Sequence, residues 1–162
     1  MYRLLLVIMC MVWSVDVSAD EWHSKEIQCL AKNVYFEARG ESLTGKIAVA
    51  NVTLNRVRSN KFPDSVCAVI TQAKTYKNWK GNIVPRRNQC QFSWFCDGKP
   101  DNPSDISMYR ESLRVAEVVY NGYRDVTEGS LFYHNDQVKP YWAATMMKTK
   151  IIGAHHFYRD SY

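Results

Sequence analysis

Several signatures that would settle a function are missing from this 162-residue chain. It has no Gly-x-Ser-x-Gly elbow, so no Ser-His-Asp arrangement can be inferred. It has neither a phosphate-binding loop nor a dinucleotide fingerprint, which takes away the support for a nucleotide-dependent enzyme. No Cys-x-x-Cys pair occurs, which weighs against a thiolate zinc site, although the cysteines with His155 or His156 are a rival reading. No internal repeat or linker divides the chain. Outside residues 74–87 there is no dense Lys/Arg run with interleaved aromatics, so a nucleic-acid role has little support.

What is present suits one domain with a real core. Nearly half of the residues are apolar, and 13% are aromatic, so disorder is not expected. The net charge is +5; residues 1–19 hold one Arg and one Asp and do not alter it. That balance favours an anionic partner such as a polyanionic wall, a membrane surface or nucleic acid. The start, Arg3 followed by Leu4 to Trp13 and then Val17-Ser18-Ala19, reads as a secretory signal peptide over 1–19, with residues 20–162 as the mature domain. A retained anchor is the alternative, and membrane contact is expected only through this leader. Past the leader four cysteines remain, Cys29, Cys67, Cys90 and Cys96. An even count in an exported domain points to two disulfides. Three pairings are open, and Cys90–Cys96 as a loop clasp with Cys29–Cys67 as a helix staple is favoured.

The chain is organised around Asn33 to Glu41. Ile27, Leu30, Ala31, Val34 and Ala38 recur at helical spacing, and Glu37 falls on the edge of that stripe. Gly40 is placed to end the helix in a left-handed conformation. A carboxyl half shielded by apolar neighbours has its pKa raised, as an acid catalyst of glycoside cleavage requires. The plainer alternative is a surface helix end with an ion pair to Arg39. A second helix capped by Ser42 or Thr44 runs through Val57 and is apolar nearly all round; Asn51 and Asn55 read as amides serving buried backbone. Asp64 or Ser65 caps a short helix. Residues 73–104 show no helical period and read as a long functional loop whose aromatics either stack on sugars or pack beneath it. Ser104 or Asp105 starts another helix that Asn121-Gly122 stops. Leu131–Asn135 and Lys150–Tyr158 read as strands, with a turn-rich connector between them.

Several of these strings together resemble the SleB/CwlJ-type cell wall hydrolases. They are Cys29-Leu30-Ala31, Tyr35-Phe36-Glu37-Ala38-Arg39-Gly40-Glu41, Asn55-Arg56-Val57, Phe62-Pro63 and Cys90-Gln91-Phe92-Ser93 with Cys96-Asp97-Gly98. Tyr133-His134, Val138-Lys139-Pro140, Trp142 and Ile152-Gly153 continue the likeness, which covers most of residues 28–159. The resemblance implies a lysozyme-like α+β domain, mainly helical with a small β element, related to lytic transglycosylases. It implies cleavage of the β-1,4 bond between N-acetylmuramic acid and N-acetylglucosamine in peptidoglycan, with Glu37 as general acid. Glu41 and Asp97 are the candidate second carboxylates. Tyr35, Gln91, Phe92, Ser93, Tyr133, His134 and Trp142 are the candidate substrate contacts. No metal or cofactor is implied, and an exported monomer in the periplasm or at the wall is expected, from a bacterium or a phage lysis system. The competing readings are a hydrolytic muramidase, a non-catalytic wall-binding module, and a thiol enzyme pairing a cysteine with His134.

Overall fold

A computed structural model describes residues 17–161, with side chains from residue 21. The leader is therefore mostly outside the described residues, and the first helix, α1 (Val17–Ala38), begins three residues ahead of the expected cleavage point after Ala19. No helix among the described residues is long and apolar enough to cross a membrane.

The stripe read from the sequence is the centre of the core. Leu30, Ala31, Val34 and Ala38 of α1 are all at most 2% exposed. They pack against α2 (Leu43–Arg58), the short α3 (Val66–Ile70) and α4 (Ile106–Tyr120). Burial of a side chain the size of Leu30 or Val34 stabilises the fold by about 1.5–3 kcal/mol, and the small alanines let the neighbouring helices approach. The caps fall where turn chemistry places them. Ser42 accepts from Gly45 N, Ser65 from Ala68 N and Asp105 from Met108 N. Gly122, at φ 104°, ends α4. α2 is buried on almost every side, from Gly45 through Leu54. Asn51 accepts from Val126 N and Asn55 donates to Asp125, Thr127 and the Ser130 carbonyl, so both amides serve the 125–130 loop.

Gly40 departs from expectation. It does not take a positive φ. α1 closes instead through a turn in which Glu41 N donates to the Ala38 carbonyl, and Ser42 at once caps α2. The expected long loop over 73–104 is also corrected. Its first half is a β-hairpin, β1 (Ala73–Lys77) paired antiparallel with β2 (Ile83–Cys90). Nearly all of its residues are exposed on both faces, so no in-and-out alternation marked it as strand. The turn is held by Asn78, whose Oδ1 accepts from Lys80 N and Asn82 N. The single strand expected over 150–158 is two, β4 (Met147–Ile152) and β5 (His155–Arg159), folded back at Gly153-Ala154. Gly153 sits at φ 58°, the first central position of a two-residue hairpin turn, where glycine is favoured. With β3 (Phe132–Asn135) they make a three-stranded antiparallel sheet in the order β3-β5-β4. Phe157 on the central strand is fully buried against Ala48 and Val52 of α2.

Two disulfides close the frame, Cys29–Cys67 and Cys90–Cys96. The first ties α1 to α3. Beside it, Glu26 of α1 is 1% exposed and accepts from the backbone N–H groups of Val66 and Cys67, meeting the free donors at the start of α3. Replacing Glu26 with Ala strands those donors and should cost about 2–3 kcal/mol. Urea unfolding of the oxidised protein measures it, and an unchanged midpoint would mean that the disulfide alone holds α3.

Candidate active site

The end of α1 opens onto a cleft of about 500 Å³ between the helical core and the edge strand β3. Glu37 lies in its wall. Its position follows from the helix: residue 37 is seven past Leu30 and three past Val34, so it is drawn to the border of the buried stripe but not into it. Burial pushes its carboxyl above the usual glutamate range. Two neighbours pull the other way. The Tyr133 hydroxyl donates to Oε2 at 3.0 Å, and the Arg56 guanidinium adds its positive charge. Burial wins, which leaves an acid partly protonated at a higher pH than an exposed glutamate.

Arg56 comes from the last turn of α2 and is 4% exposed. Its Nε donates to the Leu131 carbonyl at 2.7 Å. Its guanidinium carbon lies over three rings, 5.0 Å from Phe92, 5.2 Å from Phe62 and 6.0 Å from Phe132. Nη1 has no hydrogen-bond partner. Burial lowers this guanidinium to about 10, so it stays charged at neutral pH. Tyr133 is held in place by Phe157 and His155, and its own ionisation is pushed far up by burial, followed by Glu37. The phenol is thus a fixed neutral donor.

The opposite wall is the segment after β2. Gln91, Phe92 and Ser93 line the cleft, and the Cys90–Cys96 disulfide clasps the turn that carries them. Trp94 anchors the same turn to the core. Its ring stacks on Phe36 at 4.6 Å, and its Nε1 donates to Asn33 Oδ1 at 3.0 Å. Asn33 in turn donates to Thr53 of α2. Trp142 and Met146, from the connector after β3, complete the lining with Phe132.

The cleft thus brings together Glu37, Gln91, Phe92, Ser93, Tyr133 and Trp142 of the sequence candidates. The others lie elsewhere. Tyr35 is 3% exposed, and its hydroxyl accepts from Ser104 N and Asp105 N, so it braces the start of α4. His134 points away from Tyr133 on the same strand. It bonds to the Tyr158 hydroxyl at 2.9 Å and packs behind Trp142. Glu41 does not line the cleft; its Oε1 lies 3.7 Å from the buried His155 Nδ1. Burial depresses that histidine, against the pull of Glu41. Asp97 folds onto its own loop, accepting from Lys99 N. Among the described residues of the cleft, Glu37 is the only carboxylic acid. All four cysteines beyond the leader are bridged, which removes the thiolate that a thiol enzyme or a zinc site would use. Arg56, Phe132 and Met146 were not among the candidates. Only Arg56 had a signal, the one charge in the otherwise uncharged run 47–57.

Residues 40–158 match the cell wall hydrolase family. The chain belongs to that family. It is 34% identical to a spore cortex-lytic enzyme of Oceanobacillus iheyensis over 88% of its length, and 33% identical to one from Bacillus subtilis over 83%. It spans less than half the length of these relatives, 45% and 37%. Among solved structures, the catalytic domain of the Bacillus cereus SleB protein superposes with a TM-score of 0.61 at 31% identity, covering 84% of this chain and 91% of that one. The catalytic domain of the germination-specific lytic transglycosylase SleB from Bacillus anthracis gives 0.60 at 32% identity, over 83% and 93%. These neighbours share the α+β, lysozyme-like architecture.

The hydrogen bond from Tyr133 favours the charged form of Glu37, so removing it has a defined sign. In Tyr133→Phe the Glu37 carboxyl should titrate higher than in the wild type. Carbon-detected NMR titration of the glutamate carboxyls checks this, and a downward shift would show that the phenol instead stabilises the neutral acid.

Proposed function

We propose that this domain is a peptidoglycan glycosidase that cuts the N-acetylmuramic acid to N-acetylglucosamine bond as a lytic transglycosylase. The observation that carries this reading is the single raised carboxyl in an open cleft of a chain from the cell wall hydrolase family. The lytic transglycosylase relative supports it. A two-carboxylate glycosidase needs its pair about 5–9.5 Å apart, and the cleft holds one acid.

In the first step Glu37 gives its proton to the glycosidic oxygen as the bond to the muramic C1 breaks. Positive charge develops on the sugar ring. The carboxylate left behind is stabilised by the hydrogen bond from the Tyr133 hydroxyl and by the positive charge of Arg56. These fixed groups need no reorganisation at that moment. In the second step Glu37 takes the proton of the muramic C6 hydroxyl as that oxygen bonds to C1. The 1,6-anhydro product forms on the face from which the leaving group departed, so one carboxyl serves both steps and ends protonated again. Gln91 and Ser93 are the polar groups for the acetamide and hydroxyls of the substrate, with Trp142 as an apolar wall. Export through the 1–19 leader to the periplasm or wall, and action as a monomer in bacterial remodelling or phage lysis, belong to the same proposal.

Glu37→Gln should lower the release of fragments from purified peptidoglycan by about 10³-fold, the usual scale of acid catalysis, while sedimentation with the polymer persists. Wild-type activity should fall as pH rises through the elevated Glu37 range, because the proton donor is lost. Mass spectrometry of the fragments should find 1,6-anhydro ends. Reducing ends would instead make the enzyme a hydrolytic muramidase, and undiminished release by the variant would remove Glu37 from the role.

A further inference from the structure

The β1–β2 hairpin stands apart from the rest of the molecule in charge. Residues 73–90 contain Lys74, Lys77, Lys80, Arg86 and Arg87 and no Asp or Glu. The remaining 144 residues carry 16 Lys and Arg against 16 Asp and Glu. The entire formal excess of +5 therefore sits on this one arm. Neither face of the arm is covered, and its charges find little relief inside the protein. Arg86 lies over the Tyr76 ring at 5.5 Å and Lys80 over Trp79 at 4.8 Å, while Arg87 donates to the Asp97 carbonyl. Five like charges on a two-stranded ribbon repel one another and contribute nothing to packing. An anionic ligand would turn that cost into affinity.

The arm's root joins the cleft. Cys90 and Gln91, which line the cleft beside Glu37, also line a shallow groove of about 370 Å³ with Gln72, Lys74 and Gln89. A linear polymer lying in the cleft and leaving past Gln91 runs onto the hairpin. We infer that the arm binds the acidic stem peptides that a glycan strand carries on its muramic residues, outside the sugars held in the cleft. This rests on the glycan-cleavage reading of that cleft. A strand of eight residues spans about 26 Å, enough to meet carboxylates beyond the sugar being cut. The cations recognise charge, and the cleft recognises sugar. The arm thus makes the domain selective for glycan that still bears its peptides.

The test compares binding of the Glu37→Gln protein with that of the same protein also carrying Lys74→Gln, Lys77→Gln and Lys80→Gln. The probes are purified insoluble peptidoglycan and the same material stripped of its stems by an amidase. Three exposed ion pairs together carry about a tenfold effect. Affinity for peptide-bearing material should fall by that factor, and affinity for stripped material should not change. Added salt should weaken the parent protein only on the peptide-bearing polymer. Equal loss on both materials, or no loss on either, overturns the inference. Trp79 at the hairpin tip is 89% exposed and Ile83 68%, which makes a lipid surface the competing occupant. Capture by phosphatidylglycerol vesicles with a blue shift of Trp79 emission, and unchanged binding to peptidoglycan, would overturn the inference in its favour. Fragments released by Glu37→Gln would count against the acid assignment and not against the arm, whose readout is binding.

Discussion

The interaction on which the site depends is the hydrogen bond from the Tyr133 hydroxyl to the Glu37 carboxyl at 3.0 Å, with the Arg56 charge acting on the same carboxyl. Each partner comes from a different part of the fold: α1, the edge strand β3 and the end of α2. None has a good alternative. Arg56 spends one N–H on the Leu131 carbonyl and leaves Nη1 unpaired. Desolvating a guanidinium costs several kcal/mol, and three flanking rings return up to about 2 kcal/mol each where water is excluded. A lysine could not take this place, because only a planar cation lies flat between rings while keeping a donor on a carbonyl. The aromatic box therefore offsets the cost of keeping a positive charge near a buried carboxyl whose pKa is raised.

Keeping that triad in register is the business of the frame. The buried stripe of α1 contacts all three other helices and fixes the rotation that sets residue 37 at the rim. The Asn33 bridge then connects α1 to α2 through Thr53 and to the far wall of the cleft through Trp94. The Cys90–Cys96 clasp holds that wall's turn short. A shift in any of these would move the carboxyl relative to Gln91 and Ser93 without touching the chemistry itself.

What could be read in advance follows from how local each signal is. The α1 stripe and the stop at Gly122 are written in residues a few positions apart and were legible, and each cap was narrowed to two nearby residues, of which the structure uses Ser42, Ser65 and Asp105. So was the place of Glu37 at the edge of that stripe, which helical geometry decides, whereas its reading as an acid came from the family resemblance. The errors came where tertiary context overrides a local habit. Gly40 was assigned a left-handed cap, yet Ser42 begins the next helix so soon that a plain turn suffices. The 73–90 hairpin was hidden because it is exposed on both faces, and burial is what imprints alternation on a strand. His134 was grouped with Tyr133, although neighbours on a strand point to opposite faces. Tyr35 looked like a cleft aromatic, but its hydroxyl is taken by the start of α4. Arg56 was visible only as an oddity, since the rings that accept it are distant in sequence.

The separation of charge has a chemical reason of its own. An acid catalyst working near neutral pH cannot sit among cations, for each one favours its ionised form. Among the described residues, the cation that acts on Glu37 is Arg56, with burial outweighing it. The five cations of the hairpin stand in water on an arm whose root borders the cleft, where salt screens them strongly. Placed inside the cleft, the same charges would draw a polyanion more firmly and would also strip Glu37 of its proton. On the proposed reading, dividing the two tasks between a dry rim and a wet arm would let an acidic polymer be attracted without disarming the group that cuts it.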